Sequence, residues 1–136
     1  MADVPSGRGL VDTSVVIAID EVDRARLPEV MCVSTLTLAE LSAGPYAASD
    51  DLARARRQDR LQRVESDVEA LPFEMHCARA YGLVYAAVTV SGRKARGARS
   101  VDLMIAATAL SHEIPLYTRN PKDLRGLEEL IEISPC

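Results

Sequence analysis

The sequence predicts an α/β fold, with a central, mainly parallel sheet of four to five strands flanked by helices. Three observations predict it. Short apolar runs of strand length alternate with segments of helical length along the whole chain. That βαβα order calls for crossovers and therefore for parallel strands. At 136 residues the chain is long enough to bury a sizeable core, as one domain spanning 1–136. With 48% hydrophobic residues but one Phe and no Trp, that core is built from Leu, Val, Ile and Ala.

Each element has its own local reason. Residues 8–12, "RGLVD", form a first strand that ends in Asp12. Residues 13–25 read as a helix capped by Thr13 or Ser14. Residues 29–34, "EVMCVS", are rich in β-branched side chains and form a second strand. Residues 35–43, "TLTLAELSA", follow as a helix stopped by Gly44-Pro45. Ser49, Asp50 and Asp51 cap a long charged helix over about 50–69. Residues 71–74, "LPFE", form a short third strand, and 75–91 a helix. Residues 91–100 form a polar loop, and an apolar helix covers 101–112. Residues 114–118 form a fourth strand, "RNPKDLRG" a turn with a short helical piece, and 130–134 the last strand.

Composition excludes several classes. The net charge of −4 argues against a generally basic nucleic-acid binder. Two local patches run the other way. Residues 54–63 hold five Arg against one Asp, and residues 93–99 hold four basic groups and no acid. The first reads as a solvated or partner-facing helix side, and the second can meet phosphates. Cys32, Cys77 and Cys136 are odd in number and lack CxxC spacing, so neither a zinc knuckle nor a disulfide framework is indicated. No apolar run approaches the roughly 20 residues that span a bilayer, and "MADVPSGRG" lacks the apolar core of a signal peptide. A cytoplasmic protein without a membrane role is expected.

The acids fall in a pattern. Asp12 ends the first strand, Glu40 lies in the helix after the second, Asp102 opens an apolar helix, and Asn120 and Asp123 follow the fourth strand. In a parallel sheet all of them face the edge where ligands bind. Carboxylates converging there repel unless their pKa values rise or a cation joins them. Oxygen donors suit Mg2+ or Mn2+. Each acid also has an ordinary structural reading. Asp102 follows Ser100, a good N-cap, and an acid in a first turn suits the helix dipole. Glu40 stands three residues after Thr37, the spacing of a capping box, although Leu36 and Leu38 start the helix nearer Ser34 or Thr35. Asp12 can simply cap the next helix, and Asp123 can be a turn acid. Their shared place relative to the strands is the signal.

Four segments, "LVDTSVVIA", "LTLAELSAG", "SVDLMIAATAL" and "YTRNPKDL", occur in the order and spacing of PIN-domain ribonucleases. The chain most resembles the VapC type, the toxin half of bacterial toxin–antitoxin pairs. The resemblance implies a PIN-like three-layer fold and an Mg2+- or Mn2+-dependent endoribonuclease. It matches the family's first three acids to Asp12, Glu40 and Asp102, and the fourth slot to Asn120. There the amide departs from the fully acidic pattern, and Asp123 stands near enough to supply the missing charge. Asp12, Asp102 and Glu40 would hold the metal, which acidifies water and neutralises phosphoryl oxygens. Thr13, Ser14 and Thr118 would orient the carboxylates. Lys94, Arg96, Arg99 and Arg119 are placed to contact RNA phosphates. A cognate antitoxin laid in a groove and a homodimer, with Tyr81 and Tyr85 suited to its interface, follow from the resemblance as well.

Three other classes compete. A catalytically weak PIN-like RNA-binding or interaction module is kept open by Asn120. A phosphoreceiver-like domain would need an acceptor Asp at the end of the central strand, where only Glu74 is offered. A nucleotide-binding domain lacks its glycine motif.

Overall fold

The structure is a computed structural model that describes residues 7–92 and 98–136, without the side chains of residues 98 and 99. Five strands form one parallel sheet: β1 (Arg8–Val11), β2 (Val30–Ser34), β3 (Glu69–Leu71), β4 (Leu116–Thr118) and β5 (Ile133–Pro135). Their order is β3-β2-β1-β4-β5. The register pairs Leu10 with both Cys32 and Leu116, so β1 is the central strand. The chain builds outward on one side of β1 and then crosses over to β4 on the other.

Helices cover both faces: α1 (Thr13–Ile17), α2 (Thr35–Ala47), α3 (Asp51–Asp67), α4 (Met75–Val90) and α5 (Ala98–His112). Successive strand residues point to opposite faces, and the core divides accordingly. Leu10 and Cys32 pack with Val84, Val88, Leu103 and Ala106 of α4 and α5. Val11 and Val33 pack with Val15, Leu41 and Val64 of α1, α2 and α3. Small side chains let α5 lie close to the sheet: Ala106, Ala107 and Ala109 are all fully buried. Gly9 serves a similar end, since a Cβ there would run into the Tyr117 ring and Pro28.

Several expected boundaries move. The helix expected over 13–25 ends at Ile17, and short 3-10 turns at Ile19–Glu21 and Arg24–Arg26 follow. Its cap is Asp12 and not Thr13 or Ser14. Asp23 opens the second of those turns by accepting the Ala25 N–H at 2.9 Å, the short-range competition that ends helices at Asp.

Gly44-Pro45 does not stop α2, which runs to Ala47 with Pro45 buried inside it. The carbonyls of that last turn find donors on the neighbouring helix. Arg57 donates to the Gly44 carbonyl at 2.9 Å and Arg54 to the Pro45 carbonyl at 3.3 Å. Two of the arginines read as a solvated or partner-facing side therefore cap a helix end. The third strand lies at Glu69–Leu71, earlier than 71–74, because Pro72 cannot donate to a ladder. The last strand sits at Ile133–Pro135, later than 130–134, and tolerates Pro135 because β5 is an edge. Finally, α5 begins at Ala98 and not at 101.

Candidate active site

The reversal of strand order places the switch point of the sheet between β1 and β4. Ligands bind at such points, beyond the carboxyl ends of the strands. A small cleft of about 50 Å3 opens there, lined by Asp12, Ser14, Asp102, Leu116, Thr118, Asn120, Asp123 and Leu124. Four of the five expected site residues meet in it, delivered by the end of β1, by α5 and by the turn after β4.

Asp12 is held most firmly. Its backbone N–H donates to the Tyr117 carbonyl at 3.0 Å, extending the β1–β4 pairing by one residue. Its carboxylate caps α1, with Oδ1 accepting the Val15 N–H at 3.2 Å. The same oxygen accepts the Ser14 hydroxyl at 2.5 Å. Ser14 Oγ in turn accepts the Arg119 N–H at 3.3 Å. One hydroxyl thus bridges Asp12 and the backbone that leads to Asn120. Thr118, fully buried, accepts the Asn120 N–H at 3.0 Å. The capping reading of Asp12 is correct as far as it goes, and its carboxylate faces the cleft as well.

Asp102 is exposed, above the buried Leu103 and Ala106. Because α5 starts at Ala98, Asp102 is not in the first turn and Ser100 is not its N-cap. The helix dipole explains less of its placement than the sequence suggests, since the effect fades beyond the first turn. Asp123 lies in a 3-10 turn, Pro121–Leu124, whose Asp123 N–H donates to the Asn120 carbonyl at 3.0 Å. That bond brings both candidates for the fourth position to one side of the cleft.

Glu40 does not line the cleft. The cap of α2 is Ser34, whose Oγ accepts the Leu36 N–H at 3.1 Å, so Thr37 and Glu40 form no capping box. Glu40 Oε1 instead accepts the Thr13 hydroxyl at 2.6 Å, and Thr13 Oγ1 is also hydrogen-bonded to Thr37 Oγ1 at 3.1 Å. Sequence reasoning missed Thr37 as part of this region. The only signal was its i, i+3 spacing to Glu40, which suggested a cap.

The basic residues divide. Arg119 is next to the cleft, but its guanidinium pairs with Glu21 at 3.5 Å. Lys94 and Arg96 lie outside the described residues, as does the side chain of Arg99. Cys136, whose N–H donates to the Thr118 carbonyl at 3.0 Å, also sits beside this region. Burial first, and the charge of Asp12 second, push its thiol pKa above the ordinary value.

The chain is similar to known proteins in sequence and in fold. The PIN domain family model matches residues 9–129. Ribonuclease VapC5 of Mycobacterium tuberculosis is 36% identical over 123 residues, 88% of this chain and 87% of that protein. Ribonuclease VapC of Rickettsia bellii is 31% identical over 129 residues, 89% of this chain and 91% of its own. Among solved structures, the crystal structure of VapBC-5, a member of the VapBC family of toxin–antitoxin systems from Mycobacterium tuberculosis, aligns with a TM-score of 0.84. It does so at 35% identity, over 96% of this chain and 99% of that one. DNA-bound VapBC from Salmonella typhimurium aligns with a TM-score of 0.68 at 26% identity, over 94% of this chain and 97% of that one. The chain belongs to the PIN-domain family and groups there with the VapC proteins.

Proposed function

We propose that this protein is an endoribonuclease of the VapC kind, the toxin of a toxin–antitoxin pair, and that its cleavage of cellular RNA depends on Mg2+ or Mn2+. The observation that carries the reading is the cleft at the sheet's switch point, where Asp12, Asp102, Asn120 and Asp123 meet in a chain related to ribonucleases. The donors are oxygens throughout, the ligand chemistry of a hard divalent cation. Among the described residues no three His, Cys, Asp or Glu groups form a ready-made metal cage. Mg2+ keeps several waters and takes only one or two carboxylates. Asp12 and Asp102 would hold it, with Glu40 assisting.

When bound, the cation supplies a Lewis acid that offsets phosphate charge and makes water a competent nucleophile near neutral pH. The chain's own residues do the rest. Ser14 and the α1 backbone aim the Asp12 carboxylate, and Thr118 holds the Asn120 backbone. The Asn120 amide, or the Asp123 carboxylate beside it, would orient a water or ligand. Leu116 and Leu124 give the cleft an apolar wall. Lys94, Arg96, Arg99 and Arg119 would take the flanking phosphates.

The antitoxin reading has separate support. An open groove of about 500 Å3 is lined by Val16, Ile17 and Val64, by Arg24, Arg56, Arg60 and Arg63, and by Asp20, Asp59 and Asp67. Such a surface suits a partner segment that carries both apolar and charged residues. A homodimer and a cytoplasmic location belong to the same proposal. No helix among the described residues is long and apolar enough to cross a membrane.

The deciding experiment is cleavage of total cellular RNA by purified, partner-free protein with Mg2+ or Mn2+, with EDTA, and with Asp102→Asn alongside. Discrete fragments should appear with metal and vanish with EDTA and in the folded variant. A folded, metal-supplied protein that leaves RNA intact points instead to the catalytically weak binding module that Asn120 keeps in view.

A further inference from the structure

We propose that Thr13 is a positioning residue for Glu40, holding its carboxylate at the start of α1 through a hydroxyl that also contacts buried Thr37. The inference rests on the ribonuclease reading and deepens it at one residue. Glu40 is an exposed side chain on α2, outside the residues that line the cleft. Left to itself, such a side chain samples many rotamers.

The structure instead ties it. The Thr13 hydroxyl donates to Glu40 Oε1 at 2.6 Å, a charge-assisted bond at the short end of the range. A hydroxyl has one proton. The same hydroxyl lies 3.1 Å from Thr37 Oγ1, again with Thr13 as the donor, so its one proton is shared between the nearer Glu40 carboxylate and Thr37. Thr37 is fully buried, so its hydroxyl needs a partner inside the protein. The Thr13 hydroxyl therefore rests against a fixed point. Thr13 follows Asp12 directly in the chain and opens α1, the helix that Asp12 caps. Fastening Glu40 to Thr13 sets the second acid relative to the first across two helices.

The test compares Thr13→Val and Thr13→Ser. Valine keeps the β-branched shape and removes the hydroxyl, and serine restores the hydroxyl without the methyl. Two readouts are needed. The first is the Glu40 side-chain carboxyl 13C resonance in metal-free protein. It should shift in Thr13→Val and return toward the wild-type position in Thr13→Ser. The second is RNA cleavage with Mn2+. Here kcat should fall about tenfold in Thr13→Val with KM within about twofold, and recover in Thr13→Ser.

Thr37→Val should move the same resonance by less than Thr13→Val does, because the Thr13–Glu40 bond itself remains. An unmoved Glu40 resonance in Thr13→Val overturns the tie. A shifted resonance with unchanged kcat, or equal losses in the valine and serine variants, overturns the positioning role. Absence of cleavage by the wild type overturns the ribonuclease reading, and the carboxyl resonance still decides the tie.

Discussion

At the scale of single residues, the site is set by hydroxyls as much as by acids. Ser14 Oγ touches both the Asp12 carboxylate and the Arg119 backbone N–H. Removing it frees Asp12 to rotate and loosens the strand end that carries Asn120. A hydrogen bond to a charged group is worth about 1.5–3 kcal/mol, and the reaction would use that energy for orientation. Ser14→Ala should therefore lower metal-dependent RNA cleavage by roughly tenfold or more, with a folded protein by circular dichroism. Wild-type rates in that variant would show that the α1 backbone alone aims Asp12. Asp12, Asn120 and Asp123 were legible because strand ends are legible. Of the residues that hold the acids, the family resemblance pointed to Thr13 and Ser14, whereas Thr37 looks in sequence like an ordinary helix-start residue.

At the scale of elements, the instructive case is the end of α2. Gly44-Pro45 is a strong stop signal by local chemistry, because proline lacks an N–H and clashes with the preceding turn. Here Arg57 and Arg54 supply donors to the last-turn carbonyls from α3, and the helix continues to Ala47. Arg57→Ala should destabilise the protein by about 1 kcal/mol, seen as a fall in Tm of roughly 3–5 °C. An unchanged Tm would mean that water satisfies the Gly44 carbonyl as well as the guanidinium does. The same kind of long-range decision moved the third strand to Glu69–Leu71, where pairing with Cys32, Val33 and Ser34 outweighs the apolar run "LPFE".

At the scale of the whole molecule, stability carries a pH dependence that the buried Cys32 and half-buried Cys136 thiols predict. Burial pushes the Cys32 pKa up, against the opposing charge of Arg8. Burial and then the Asp12 charge push Cys136 up. The folded state then keeps these protons at pH values where the unfolded chain has begun to lose them. Unfolded molecules bind fewer protons, so stability is retained below the ordinary thiol pKa and falls as pH rises through about 9. Urea midpoints should decrease between about pH 8 and pH 10, and the decrease should be smaller in Cys136→Ala. The same slope in that variant and in the wild type would assign the loss to other groups.

The sequence by itself determined the parallel α/β architecture and the placing of Asp12, Asn120 and Asp123 at the carboxyl ends of strands. Both follow from periodicity and element order, which act within a few residues and admit few chain paths. Tertiary structure decided which strands stand next to each other. It put β4 beside β1 and so made the crevice between them the place where Asp102, arriving on a crossover helix, meets Asp12. It also turned Glu40 onto Thr13 rather than into that crevice. Strand order and side-chain direction depend on contacts between residues far apart in the chain, and only packing of the assembled layers settles them.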